Sequence, residues 1–512
     1  MHAELSLNTA RATGLGARHR AGRFDAIPVA MFAIALSAAG AARPSLWFDE
    51  AATISAATRP VPELWALIGN IDAVHGLYYL AMHGWFSVFP VTEFWSRFSS
   101  CLAVGGATAG VVTLGRQFSS RTLSVCAGIL FAILPRVTWA GIEARSYAWT
   151  MLAAVWLTVL LVAAIRARRG MLWAAYGAAL ALSTLLNIFV VLIVLPHAVA
   201  VMLLSRRAVG PWLAASVPAV SAVTPFILWC RSQSFQVGWI SPLGSHTFAE
   251  VALEQYFDHS VAFALLAAVA LAAPLLVRRI RPADTGSRQL AVIAAVWVVA
   301  PTAVLLAYSP VAQPLYYPRY LSFTAPAAAL LLAVCVVAVA RTREWITAVL
   351  ALFALAATPN YLVVQRGPYA KEGMDFSQVA DVITAHSSPG DCLILDNTTS
   401  WKPGPIRPIT AARPTAYAHL VDPGRGRTAV ERNRLWDAHL GIWGVAEQVR
   451  RCTVLWTVSE RDPSVPDRQS GEALDPGPRL ERAPAYRVPE GFGFHIVERW
   501  QFSFAQVVKS TR

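Results

Sequence analysis

Apolar stretches long enough to cross a hydrocarbon layer follow one another from residue 25 to residue 362, and they decide what this chain can fold into. A helix needs about 20 residues to span such a layer. Eleven segments fit: 25–42, 96–115, 120–139, 147–165, 171–187, 188–205, 211–230, 260–278, 289–308, 320–340 and 344–362. The division near Asn187 splits one apolar run, 171–205, into two spans. A further apolar segment, 75–91, is amphipathic and punctuated by His75, His83 and Pro90, which places it as an interfacial helix. Only 14% of the 512 residues are charged, where a soluble domain carries about a quarter. The composition is that of a polytopic membrane protein.

The net charge of +13 points first to nucleic acid, but its distribution points elsewhere. With the N-terminus in the cytoplasm, alternate connections hold 17 arginines, among them Arg11, Arg18, Arg20, Arg23, Arg168, Arg207, Arg278, Arg279 and Arg281. The opposite connections hold seven, so the excess follows the positive-inside rule, and no nucleic-acid partner is expected. This topology gives a multi-pass protein of the plasma membrane, with an uncleaved first span and an extracytoplasmic C-terminal tail.

Three regions follow: a cytoplasmic segment 1–24, a multispan domain 25–362 and a tail 363–512 rich in Pro, Gly, Arg and Asp. Within the tail, Phe376–His386 has helical spacing, and Cys392–Leu395 and Thr453–Val458 are short apolar runs suited to strands. A small extracytoplasmic α/β domain is expected, with Trp401 to Pro423 as an ordered loop or clamp. Cys392 and Cys452 both fall on predicted strands in an oxidising compartment, which makes them candidates for a disulfide. The other four cysteines lie within spans as small apolar residues, and no spacing suggests zinc.

The residues able to do chemistry collect on the outer side. Asp49 and Glu50 directly follow the first span. An aspartate there can take a proton from an attacking hydroxyl, and a glutamate can bind the same acceptor, a metal or an arginine; both can equally be hydrated caps of an interfacial helix. His75-Gly76-Leu77-Tyr78-Tyr79 lies in the same loop. Two further outer segments carry Glu143, Arg145 and Tyr147, and Tyr316, Tyr317, Arg319 and Tyr320. The planar fork of arginine suits a phosphate, although Arg145 and Arg319 can also pair with Glu143 or with lipid. For the tyrosines 316, 317 and 320 an aromatic belt at the headgroup layer is the simpler reading.

In this order, the motifs resemble those of the GT-C class of lipid-phosphosugar-dependent glycosyltransferases, in particular glycosyltransferase family 39 (protein O-mannosyltransferase and aminoarabinose-transferase-like proteins) and the related RgtA-like proteins. Asp49-Glu50 matches the family's carboxylate pair in the first outer loop. His75 with Leu77-Tyr78-Tyr79 matches a His-Pro-Pro-Leu-Tyr-Tyr segment, and Glu143-Ala144-Arg145-Ser146-Tyr147 a Gln-Glu-Ala-Arg-x-Tyr segment. Gly76 stands where proline is usual and Ile142 where glutamine is common. The likeness covers most of residues 40–165, weakens to an Arg-Tyr near the later spans, and does not reach the tail.

The resemblance implies an all-α membrane domain of about 11 spanning helices with interfacial helices in the first outer loop. It implies a polyprenyl-phosphate-linked sugar as donor, with mannose the leading candidate, and an envelope glycolipid, glycan or protein as acceptor. Asp49 becomes the general base, Glu50 a second catalytic residue, and Arg145 or Arg319 the ligand of the leaving phosphate. His75, Tyr78, Tyr79, Glu143, Tyr147 and Tyr320 become substrate-binding candidates. A divalent metal, Mg or Mn, would fall to Asp49, Glu50 and His75. The competing readings are a transporter or lipid flippase, disfavoured because few ionisable groups sit mid-span, and a non-catalytic glycan-binding relative.

Overall fold

The computed structural model describes residues 25–276, 284–396, 406–474 and 490–512. The segment 1–24, with Arg11, Arg18, Arg20 and Arg23, lies outside them, as do Arg278, Arg279, Arg281 and the first part of the Trp401–Pro423 stretch. The described chain forms two compact units: a helical unit, up to Ala39 together with Arg97–Leu362, and an α/β unit, Gly40–Ser96 together with Val363–Arg512.

Over the described residues, each of the eleven apolar segments coincides for most of its length with helix of the helical unit. Among the described residues six helices are long and apolar enough to cross a bilayer: Glu93–Phe118, Tyr147–Ala167, Arg206–Ser232, Thr285–Tyr308, Pro318–Ala340 and Arg343–Gln365. Ser245–Phe257 and Val261–Pro274 meet at a 90° bend, where Asp258 and His259 take left-handed backbone angles. Ala26–Ala38, Arg121–Ile133, Gly170–Leu186 and Ile188–Leu204 are shorter apolar helices. The break between the last two has a local cause: Asn187 is extended, and its side-chain oxygen accepts the Phe189 N–H at 2.9 Å, starting a new helix.

Burial sorts these helices. Pro318–Ala340 is buried over 78% of its apolar window and forms the centre, packing on Arg121–Ile133, Thr285–Tyr308 and Val261–Leu276. Its alanines at 325, 327, 328, 329 and 333 are small enough to let neighbouring backbones approach. Close approach is also enforced at Gly128, where a Cβ would stand 2.5 Å from Val112 Cγ2. Arg206–Ser232 and Arg343–Gln365 are only 22% buried, and Leu213, Val217, Leu228, Leu352 and Leu355 point outward from them. Such faces belong in hydrocarbon, and the protein is a multi-pass membrane protein.

The α/β unit is built on a five-stranded sheet of order β1-β2-β5-β4-β3. Its strands are β1 Cys392–Leu395, β2 Val454–Glu460, β3 Arg468–Leu474, β4 His495–Gln501 and β5 Ala505–Thr511. β1 and β2 run parallel and all other pairs antiparallel. The alternation in β1 sends Leu393 and Leu395 to one core and Cys392 and Ile394 to another. The first core takes Phe376, Val379, Ala380 and Ile383 from one face of the Phe376–His386 helix, together with Trp456, Trp500 and Val507 from the sheet. In the second, Cys392 and Cys452 form a disulfide with Cα atoms 6.0 Å apart.

Residues from the loop that follows the first apolar helix complete the first core. Leu46, Trp47, Ala51 and Ile54 are buried in it, although more than 300 residues of chain separate them from the sheet. Two hydrogen bonds fix the join: Leu46 N–H donates to Ser377 Oγ at 3.0 Å, and Ser377 N–H to Ser45 Oγ at 3.1 Å. Arg413 and the Ser377 hydroxyl both donate to Glu93, at 2.7 and 2.6 Å.

Candidate active site

In the α/β unit, the carboxylate pair opens the helix Phe48–Ala57. Trp47 is extended ahead of it, so Asp49 and Glu50 occupy the first turn, where backbone N–H groups and the helix dipole favour negative charge. Asp49 is 9% exposed and Glu50 fully buried. Trp47, Ala51 and Ile54 anchor one side of this helix in the core. At about 100° per residue, Asp49 stands about 160° around from Ala51, on the face turned away from that seam. The hydrated-cap reading therefore does not describe these two side chains.

The far end of the same helix is tied down. Ser55 Oγ donates to the Leu435 carbonyl at 2.6 Å, and Arg59 reaches the carbonyls of Ser55 and Arg434 at 2.9 and 2.5 Å. Burial lowers the Arg59 pKa from its usual value. Phe48 packs its ring against Trp436, 5.3 Å between centroids. The Phe48–Ala57 helix thus has little freedom to turn its carboxylates.

The helix Gly76–Phe86 packs against Phe48–Ala57, and His83 Nδ1 meets the Ala57 carbonyl at 3.0 Å. Tyr78 and Tyr79 are fully buried. The Tyr79 hydroxyl donates to Asp72 at 2.6 Å, and the His75 and Tyr79 rings lie 5.7 Å apart. Asp72 is held at a left-handed φ of 63° at the turn into this helix. Sequence reasoning passed over it; its only signal was a carboxylate three residues before His75. Gly76 has φ −54°, and its N–H donates to the Ala73 carbonyl, a bond that a proline at this position could not make.

In the helical unit, Glu143 and Arg145 lie in the turn before the helix Tyr147–Ala167, and both are buried. That turn is held by Ser100 Oγ on the Glu143 carbonyl at 2.7 Å and by Cys101 Sγ on the Gly141 carbonyl at 3.2 Å. Tyr147 packs on Trp139 with ring centroids 5.6 Å apart. The Tyr147–Ala167 helix runs against the short helix Pro318–Thr324, which carries Arg319 and Tyr320. The Arg319 guanidinium lies 4.7 Å from the Tyr317 ring and 5.9 Å from that of Trp239. Tyr320 stacks on Phe189 at 5.4 Å. The aromatic-belt reading fails for Tyr316, which is buried and donates its hydroxyl to Gln255 at 3.0 Å.

Arg136 is a second residue the sequence reading did not single out. It is buried, 3.3 Å from Asp258, and donates to the carbonyls of Glu254 and Gln255 at 2.5 and 3.3 Å. It closes the carbonyl end of the Ser245–Phe257 helix, a structural duty. Among the described residues no three His, Cys, Asp or Glu side chains gather to hold a metal ion, so Asp49, Glu50 and His75 are not a ready ligand set.

No protein-family model matches this sequence, and no curated protein matches it. Solved structures do resemble the fold. The ArnT of Cupriavidus metallidurans superposes in its apo state with a TM-score of 0.58 at 13% identity, over 94% of this chain and 97% of that one. The same protein bound to undecaprenyl phosphate gives 0.54 over the same shares. An oligosaccharyltransferase of Archaeoglobus fulgidus, tethered to an acceptor peptide, gives 0.45 at 13% identity over 85% and 69%. The chain has the fold of the GT-C membrane glycosyltransferases: a multispan helical part with a small mixed C-terminal domain.

Proposed function

We propose that this protein is an extracytoplasmic glycosyltransferase. It moves a sugar, mannose in the leading reading, from a polyprenyl phosphate to a hydroxyl of an envelope glycolipid, glycan or protein. The observation that carries the proposal is the ArnT likeness over nearly the whole of both chains, one of the two ArnT structures being bound to undecaprenyl phosphate.

In this reading Asp49 accepts the proton of the acceptor hydroxyl as its oxygen attacks the anomeric carbon. The new C–O bond forms as the bond to the phosphate oxygen breaks, with inversion, and polyprenyl phosphate leaves. A guanidinium, Arg145 or Arg319, takes up the charge that develops on that phosphate. Glu50 and His75 position the acceptor, and Tyr78, Tyr79, Glu143, Tyr147 and Tyr320 shape the binding surfaces. No step is routed through a metal. An outer location for the α/β unit is supported by its disulfide, which suits an oxidising compartment.

The test is to incubate the purified protein with a synthetic polyprenyl-phosphate-mannose and an envelope extract. Release of polyprenyl phosphate with mannose transferred supports the full reading. Transfer from another polyprenyl-phosphate sugar only would keep the reaction and overturn mannose. An intact donor with every sugar, alongside solute movement across liposomes, would overturn the enzyme reading in favour of a transporter.

A further inference from the structure

We propose that the arginine-rich end of the helical unit carries a binding site for the phosphate of an anionic membrane phospholipid. A cavity of about 280 Å³ opens there, lined by Ile165, Arg168, Trp173, Ser205, Arg207 and Pro211 among others. It lies where four helices end or begin: Tyr147–Ala167 and Val194–Leu204 finish at it, and Gly170–Leu186 and Val209–Ser232 start from it. Helix ends of both polarities meet, so their dipoles largely offset one another. Arg168 and Arg207 set the sign of the cavity.

Of the other arginines near this end, Arg169 and Arg206 adjoin Arg168 and Arg207 in the chain but do not line the cavity, and two more are engaged elsewhere. Arg121 pairs with Asp25 at 2.6 Å, and Arg166 donates to the Gln117 carbonyl at 2.5 Å. Among the described residues Arg168 and Arg207 have no carboxylate partner. Topogenesis explains why arginines occur at this end of the spans; it does not explain two of them on the wall of one cavity. Arg168 also holds a left-handed φ of 52°, the conformation that helix ends usually give to glycine. A long side chain is kept at some conformational cost where glycine would close the helix better.

The surroundings favour a lipid over a free anion. Trp173 and Ile165 form buried apolar wall, and the exposed Met171, Met202, Leu203 and Leu213 flank the lining residues along the chain. Basic pockets between spanning helices, with apolar side chains beside them, suit a phospholipid headgroup and its acyl chains. At Gly177 a Cβ would stand 2.8 Å from the Ala215 carbonyl, so Gly170–Leu186 and Val209–Ser232 are in backbone contact and back the cavity rigidly.

The test is native mass spectrometry of the full-length protein with dioleoyl phosphatidylglycerol, dioleoyl phosphatidylcholine or inorganic phosphate. We expect phosphatidylglycerol to be retained about tenfold over phosphatidylcholine. Arg168→Gly and Arg207→Gln should each weaken retention about fivefold, and the double variant about 25-fold. Arg168→Gly suits the left-handed position, so its melting temperature should hold or rise. Arg166→Gln, off the lining, should leave retention unchanged. Equal retention of the two lipids, or an equal loss in Arg166→Gln, would overturn the site in favour of general surface charge. Displacement of phosphatidylglycerol by millimolar inorganic phosphate would overturn the lipid in favour of a free anion.

Discussion

Replacing Asp375 by asparagine should change how the stability of the α/β unit depends on pH. Asp375 precedes the Phe376–His386 helix and is fully buried. One carboxylate oxygen accepts the N–H groups of Phe504 and Ala505, at 2.8 and 2.7 Å, and so holds the turn into β5. Burial pushes its pKa from 3.8 up to about 6, against the lowering effect of those hydrogen bonds. Between these values the folded state keeps a proton that the unfolded chain releases. Stability is therefore fully present below pH 3.8 and declines as pH rises through about 6, by about 3 kcal/mol in all. Asparagine keeps an acceptor for the two N–H groups and does not titrate. The difference in stability between Asp375→Asn and wild type should then move in the variant's favour by about 2.4 kcal/mol from pH 4 to pH 7. For a unit of this size that is about 5–10 °C in Tm. Melting the intact protein in detergent across this range provides the assay. Parallel curves for the two proteins would refute the argument, because they would mean Asp375 has the same pKa folded and unfolded.

Two further predictions concern the two cores of the α/β unit, the first of which seats the carboxylate helix. Ile54→Ala removes three buried carbons where the loop after the first apolar helix enters the core and should cost about 3 kcal/mol; Ile54→Val should cost about 1 kcal/mol, and an unchanged melting temperature in both would contradict this packing. Cys452→Ser opens a link across a sequence separation of 60 and should cost up to about 4 kcal/mol. The same loss should follow from reducing the wild type, and reduction should have no effect on the variant's melt.

The spans were legible because each is a local property: an apolar run needs no knowledge of its neighbours. The break at Asn187 was legible too, since an Asn inside a long apolar run can cap a new helix, and here it does. The helix Phe376–His386 and the strand β1 were readable from spacing and from a short apolar run. β3 was not, because Arg-Gln-Ser-Gly-Glu-Ala-Leu has no alternation of its own and is placed by pairing with β4. The union of the loop after the first apolar helix with the tail was also hidden. It is made by Leu46, Trp47, Ala51 and Ile54 meeting residues beyond Phe376, a pairing that no local pattern encodes. At the candidate site, residue types announced Asp49 and Glu50. Their burial, and the role of Asp72 beside Tyr79, depend on packing of the Gly76–Phe86 helix and could not be read from the sequence.

The central claim, sugar transfer with Asp49 as the base, rests most directly on one comparison: the turnover of Asp49→Asn against wild type with a polyprenyl-phosphate-sugar donor that the wild type uses. Asparagine preserves shape and removes the proton acceptor. With an unchanged melting temperature and donor KM, kcat should fall by about 10²–10⁴. Turnover at the wild-type rate in a folded Asp49→Asn protein would contradict the account.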